Sequence, residues 1–176
     1  SFRREFQLKN KRSDLNYKLI RGNVDTRINK LNQNLYDAVI LSFAGINSLN
    51  LDHHISEIFS TDEIIPSVGQ GAIALQCKRD DEYIKNVLKK INHEKTFKSV
   101  QAERNVLKVL EGDCETAVGA ISLINNENIT LEAELFSLDG KERFYCKSSK
   151  DIKHAGELGI EIGENLKKQS KGSYKK

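Results

Sequence analysis

Between residues 117 and 147 three runs with strand character follow one another, the middle one alternating apolar and polar side chains, and the breaks between them are short and polar. Ile129, Leu131, Ala133 and Leu135 alternate with Thr130, Glu132, Glu134 and Phe136. That is the period of a strand with one covered face. Strand candidates also lie at 117–124 and 143–147. Asn125-Asn126-Glu127-Asn128 and Asp139-Gly140 connect them as turns. Three such strands in series predict a three-stranded antiparallel sheet. Residues 151–168 predict its covering helix, with Ile152, Ala155, Leu158, Gly159, Ile162 and Leu166 as the apolar stripe. Gly156, Gly159 and Gly163 weaken that helix. Residues 170–176 form a polar tail expected to fray.

The first half has a different rhythm. Residues 3–12 predict a helix, with Phe2, Phe6 and Lys9 on one side. A short strand at 17–20 ends in Arg21-Gly22-Asn23. Helical spacing resumes over 25–33 through Val24, Ile28 and Leu31. The strongest strand signal is 36–43, where Ala38-Val39-Ile40-Leu41 lacks alternation, as a strand covered on both faces does. Ala44-Gly45 leads into a helical turn through Ile46, Leu49 and Leu51. The run Ile64-Ile65-Pro66-Ser67-Val68-Gly69-Gln70-Gly71 is an ordered turn region followed by a strand at 72–77. Residues 80–91 predict an amphipathic helix with Ile84, Val87, Leu88 and Ile91 on one face. A second helix at 96–110 carries Phe97, Val100, Arg104, Leu107 and Leu110 on its packing side. Strand and helix in alternation predict β-α-β units with parallel pairing. A boundary between this α/β part and the α+β part falls near 91–95.

Composition excludes whole classes. The 176 residues are 38% hydrophobic and 30% charged, which argues against a membrane protein and against wholesale disorder. No apolar run approaches the ~18–20 residues of a spanning helix. Cys77, Cys114 and Cys146 make neither a disulfide framework nor a metal pattern, and a reducing compartment is expected. The chain contains no Met and opens Ser-Phe-Arg-Arg, from which a fragment or a processed chain is expected. Net charge is only +3, yet the first 30 residues hold nine basic and three acidic side chains. Such a field focuses an anion, either a nucleic acid or a small polycarboxylate; the alternative is a solvated basic face.

Chemistry concentrates in two places. Arg21-Gly22-Asn23-Val24-Asp25-Thr26-Arg27 joins a strand to a helix, so backbone amides at the helix start and two bidentate arginines flank one position. The competing reading is a surface loop whose arginines pair with local acids. Adjacent Arg3 and Arg4 diverge by about 100° on a helix but can still line a cleft. Cys114 sits among Glu111, Asp113 and Glu115, which disfavour a thiolate. It therefore reads as a permanent attachment point more readily than as a low-pKa nucleophile. Cys77 and Cys146 read as small apolar fillers. His53-His54 reads as a polar turn, with no spacing that completes a metal site.

Taken in order, these motifs closely resemble the porphobilinogen deaminase (hydroxymethylbilane synthase) family. The residues are Ser1-Phe2-Arg3-Arg4, Arg21 through Arg27, Tyr36 through Leu41, Ala44-Gly45, Pro66-Ser67-Val68-Gly69-Gln70-Gly71-Ala72, Asn92-His93-Glu94, Ala102-Glu103-Arg104 and Leu110-Glu111-Gly112-Asp113-Cys114. The resemblance implies a transferase of tetrapyrrole and haem biosynthesis that joins four porphobilinogen molecules into linear hydroxymethylbilane, releasing ammonia. It implies a dipyrromethane primer held through a thioether to Cys114. Arg3, Arg4, Arg21 and Arg27 match residues that bind carboxylates of the cofactor and growing chain. Ser1, Gly45, Gln70 and Gly71 match positions lining the cofactor cleft. No metal is implied.

The implied fold is a periplasmic-binding-protein-like α/β domain with a parallel-rich mixed sheet, followed by a small α+β domain with a three-stranded antiparallel sheet and covering helices. Residues 1–71 match most of the second α/β domain and 72–91 a return segment into a largely missing first domain. Residues 92–176 match the cofactor-attachment domain. The family's catalytic aspartate matches nothing in this chain, so the fragment alone is expected to be inactive and to need an N-terminal partner segment. The resemblance further implies a monomer, with the cytoplasm as default location and a plastid or another organelle as the alternative. Ser48 stands where many relatives carry arginine, and Asp113 replaces a common glycine. The rival readings are a noncatalytic anion-binding module derived from the enzyme, and a nucleic-acid-binding domain. The latter leaves Cys114 and the Gly-Gln-Gly turn unexplained and lacks interleaved stacking aromatics.

Overall fold

A computed structural model describes residues 1–113 and 115–175. By contact the chain divides into two compact units, one of Ser1 and Arg3–Ile64, the other of Phe2 and residues 65 onward. The second unit contains the sheet. Strands β1 (Val118–Asn125), β2 (Asn128–Phe136) and β3 (Arg143–Asp151) form an antiparallel meander in that order. Ala133 sits opposite Ala120 on one side and Cys146 on the other. Strand β3 runs past the expected 147 because β2 supplies a ladder partner at every residue out to Asn128, opposite Asp151.

The alternation in β2 acts as expected. Ile129, Leu131, Ala133 and Leu135 are fully buried. Two helices cover them, α5 (Glu94–Val109) and α6 (Ala155–Ser170). Glu134 is an exception on the other parity, since it is also buried; Arg143 Nε donates to its Oε2 at 2.7 Å, the pairing a buried carboxylate demands.

Three sequence expectations change in this unit. The packing side of α5 is Ala102, Val106 and Leu110, while Phe97 and Arg104 are exposed. Small Ala102 is selected there because α6 approaches its backbone closely. The α6 glycines permit that approach: a Cβ on Gly159 would lie 2.1 Å from the Ala102 carbonyl oxygen, and one on Gly163 would lie 2.7 Å from Val109 Cβ. Their helix-weakening tendency is offset by packing. Residues 170–175 do not fray. Tyr174 is buried, its hydroxyl donates to the Leu110 carbonyl at 3.0 Å, and the Leu138 amide donates to Ser173 O at 2.9 Å. Residues 65–71 also belong here. Ile65 is buried and the Ala120 amide donates to Pro66 O at 3.0 Å.

The first unit is helical. It holds α1 (Phe2–Lys11), α2 (Val24–Asn32), α3 (Phe43–Asn47) and a 3₁₀ turn at Asp52–His54. The buried stripe of α1 is Arg3, Phe6, Gln7 and Leu8, with Phe2 and Lys9 exposed. Ile28 is the buried residue of α2. The expected parallel-rich sheet is not formed: among the described residues, 17–20, 36–43 and 72–77 contain no strand. A strand exists only with a ladder partner, and these segments have none. Several of their apolar side chains stay open to solvent, Ile73 at 90% exposure, while Val39, Ile40 and Leu41 are half-buried. In the second unit α4 (Glu82–Ile91) is amphipathic as expected, yet it buries no residue.

Candidate anion-binding cleft

The turn that starts α2 is built around one glycine. Gly22 has φ +120°, and a Cβ there would come 2.7 Å from Thr26 Cγ2. Both facts exclude a side chain. Asn23 caps α2 without a side-chain cap bond, so the first-turn amides keep their capacity for an external acceptor. Arg27, one turn along, donates from Nε to the Gly22 carbonyl at 2.7 Å. Lys30 donates from Nζ to the Arg21 carbonyl at 2.9 Å. The turn is thus held by two cations from its own helix.

Arg4 reaches the same place from α1, and its Nη1 donates to Ile40 O at 3.1 Å. Arg4 and Arg27 line a cleft of ≈ 710 Å³ together with Gly22, Asn23, Val24 and Asp25. Leu41, Ser42, Leu49 and Leu51 form its remaining wall. Burial, and then the charge of Arg27, lower the Arg4 pKa from its ordinary value. Among the described residues no carboxylate makes an ion pair with either arginine. Asp25 is the single acid on the lining. Two unneutralised guanidinium groups, a helix N-terminus and an apolar wall together suit an organic carboxylate.

The other sequence-predicted site residues are placed as follows. Arg3 is buried in α1, Arg21 and Ser1 are exposed, and none of the three lines the cleft. Gly45 lies in α3, where a Cβ would come 2.9 Å from Ser42 Oγ. Ser48 caps α3 and donates to Gly45 O at 3.1 Å, a local role. Gln70 and Gly71 lie in the second unit, on a turn in which Ser67 Oγ donates to Gln70 Oε1 at 2.9 Å. Cys114 lies outside the described residues.

The segment leading to Cys114 is well defined. Helix α5 ends in paired bonds, Glu111 N–H to Lys108 O and Gly112 N–H to Leu107 O, with Glu111 at φ +53°. Asp113 does not adopt positive φ, so it imposes no glycine-like strain. Its Oδ1 accepts from the Glu115 amide at 2.9 Å and the Thr116 amide at 3.1 Å. The bond from Glu115 is the main reason its carboxyl pKa is lowered, and Thr116 adds to it.

Cys77 and Cys146 are free and half-buried, and Cys146 packs against the core. Burial pushes the Cys146 thiol pKa up, with Glu161 adding to the shift. The rings of His53 and His54 are 4.2 Å apart on an exposed turn. Among the described residues no group of three metal-ligating side chains occurs, and no helix is long and apolar enough to cross a membrane.

Sequence reasoning named Glu103 within the Ala102-Glu103-Arg104 motif but gave it no role. It is buried in α5, accepting from the Gly69 amide at 2.8 Å and from both the amide and the hydroxyl of Ser122 at 2.9 and 2.8 Å. The available signal was a carboxylate between Ala102 and Val106 on what proved to be the buried face.

Comparison with known proteins adds a separate finding. Residues 1–86 match the family model "Porphobilinogen deaminase, dipyromethane cofactor binding domain", and residues 97–168 match "Porphobilinogen deaminase, C-terminal domain". A porphobilinogen deaminase of Desulforamulus reducens is 40% identical over 94% of this chain and 54% of its own length. That of Trichlorobacter lovleyi is 39% identical over 94% of this chain and 53% of its own. That of Orientia tsutsugamushi is 39% identical over 96% and 57%. The chain therefore spans about half the length of the curated relatives it matches.

Proposed function

The chain belongs to the porphobilinogen deaminase family, and on that premise we propose that it serves in joining four porphobilinogen molecules head to tail into linear hydroxymethylbilane, with ammonia released at each addition. The observation that carries this reading is the convergence of Arg4 and Arg27 on one cleft without a paired carboxylate. Every pyrrole unit of the substrate brings an acetate and a propionate, so the ligand chemistry fits the donors present. When bound, a dipyrromethane held through a thioether to Cys114 supplies the primer end from which the pyrrole chain is extended.

The chain's own residues bind and orient. Arg27, its plane set by the bond to Gly22, and Arg4, set by Ile40, hold carboxylates in a site whose cations are already in place. The first-turn amides of α2 add donors. Arg3, Arg21, Ser1, Gly45, Gln70 and Gly71 are further proposed contacts to cofactor and growing chain. We assign residues 1–71, 72–91 and 92–176 to successive parts of the family fold. Segments 17–20, 36–43 and 72–77 are proposed strands of a periplasmic-binding-protein-like, parallel-rich sheet. Its other strands, and the carboxylate that manages the pyrrole N–H, would come from the share of the relatives' length that this chain does not span. The proposed whole is a monomer.

The test, made on the chain joined to the N-terminal share of a relative that it does not span, is intact-mass analysis with peptide mapping of Cys114, followed by a porphobilinogen consumption assay. A dipyrromethane adduct on Cys114 in a consuming protein supports the reading. Unmodified Cys114 in a consuming protein sinks the primer assignment. Carboxylate binding without an adduct or consumption favours a noncatalytic anion-binding module instead.

A further inference from the structure

We infer that Glu103 is a positioning residue, whose carboxylate holds the Ser67–Gly71 turn in the conformation that presents Gln70 and Gly71. This deepens the proposed function and rests on it for the role of those two residues.

The argument begins with hydrogen bonds. Glu103 is only 7% exposed, and its two oxygens divide their work. Oε2 takes the Gly69 amide at 2.8 Å, and Oε1 takes the Ser122 amide and hydroxyl at 2.9 and 2.8 Å. One rigid carboxylate on α5 thus ties the turn to strand β1. Bonds to an ionised acceptor are the stronger kind, and a buried carboxylate is stable only while its acceptor capacity is used. The turn closes on itself through the Gln70 amide to Ser67 O at 3.0 Å and the Ala72 amide to Gly69 O at 3.2 Å, and the Gly69 amide bond to Glu103 ties it to α5. Gly69 and Gly71 both have positive φ, the least restricted backbone a chain can have. The nearest atom that a Gly69 Cβ would meet is Val100 Cγ1 at 3.6 Å. Gln70 is exposed, with its side-chain oxygen taken by Ser67. The amide of Gly69 immediately precedes Gln70, so its anchor sets where Gln70 begins.

The carboxylate matters more than the shape. In Glu103→Gln one end of the side chain becomes an NH₂ donor, and one backbone N–H then faces a donor. The Ser122 side carries two bonds, so the amide oxygen turns there and Gly69 is released. Ser122→Ala removes a bond on the β1 side and leaves Gly69 anchored.

The experiment compares wild type, Glu103→Gln and Ser122→Ala by hydrogen exchange of residues 65–72 and by kcat/KM for porphobilinogen, in the chain joined to the N-terminal share of a relative that it does not span, with the adduct state measured by mass. Glu103→Gln should speed exchange at Gly69–Ala72 about ten- to a hundredfold and lower kcat/KM by a similar factor, while Ser122→Ala does neither. The kinetic loss should be smaller when Glu103→Gln is made in a Gln70→Ala background, because Gln70 then has no contact left to lose and only that of Gly71 remains. Unchanged exchange in Glu103→Gln overturns the inference. So does faster exchange with unchanged kcat/KM, or a loss fully additive with Gln70→Ala. Should Glu103→Gln not fold, Glu103→Asp replaces it, since the shorter acid cannot reach both Gly69 and Ser122. A wild-type protein without adduct or turnover fails the functional reading instead, and the exchange comparison still decides whether Glu103 holds the turn.

Discussion

Replacing Gly159 by alanine perturbs the closest approach between α5 and α6. The added Cβ would lie 2.1 Å from Ala102 O and 2.9 Å from both Ala102 C and Asn105 Cβ. Ordinary contact begins near 3.5 Å, so the helices must separate locally by roughly 1.5 Å. The neighbours Ala102, Val106, Leu158 and Ile162 are all fully buried and would lose contact together. A gap of about 0.5–1 Å already forfeits a quarter to a half of each contact. Overpacking costs about 1–3 kcal/mol or more, and alanine returns about 1 kcal/mol of helix propensity. We expect a net loss of about 1–2 kcal/mol, or a Tm drop of roughly 2–8 °C. The internal control is Gly156→Ala in the same helix, where the nearest atom is the flexible Asn105 Nδ2 at 3.4 Å. That variant should match wild type or gain up to about 1 kcal/mol. Gly163→Ala, at 2.7 Å from Val109 Cβ, should fall between them. Urea unfolding followed by circular dichroism gives the order directly. A Gly159→Ala protein as stable as Gly156→Ala would refute the close-packing argument.

Three further outcomes follow from the site. Gly22→Ala, forced to φ +120° and against Thr26, should cost about 1–3 kcal/mol and weaken porphobilinogen binding; calorimetry showing neither would remove the turn from the site. Arg27→Ala should cost about 2–5 kcal/mol in binding, and Arg27→Lys, which keeps charge but not the planar fork, should recover only part of it. Full activity of the Arg4→Ala, Arg27→Ala double variant contradicts the assignment. For pH, the Asp113 carboxyl is held below its ordinary value by the Glu115 and Thr116 amides. Its folded pKa is depressed, so the stabilisation of residues 113–116 is present above the unfolded value of about 3.9 and fades as pH falls through the folded one. Amide NMR of Glu115 and Thr116 across that range should show the loss, and Asp113→Asn should flatten it.

Local pattern alone determined much of this molecule. The period-two run from Ile129 to Leu135 determined the covered face of a sheet, and the Asn126 and Gly140 turns determined its antiparallel order, because both signals act over a few residues. The Arg21–Arg27 segment showed its glycine turn and helix start for the same reason, but of its two arginines only Arg27 lines the cleft. Tertiary structure decided the rest. Ala38-Val39-Ile40-Leu41 has a buried strand's composition but forms none, since hydrogen-bond partners are not encoded in the segment that needs them. Gly159 reads as a weak point in a helix and is a packing contact, because the carbonyl it accommodates lies 57 residues away on α5. Glu103 stood in the sequence only as the middle of the Ala102-Glu103-Arg104 motif, with no role attached. Only the folded unit brings Gly69 and Ser122 to its two oxygens, and that convergence of donors makes a buried carboxylate stable where α5 faces the sheet.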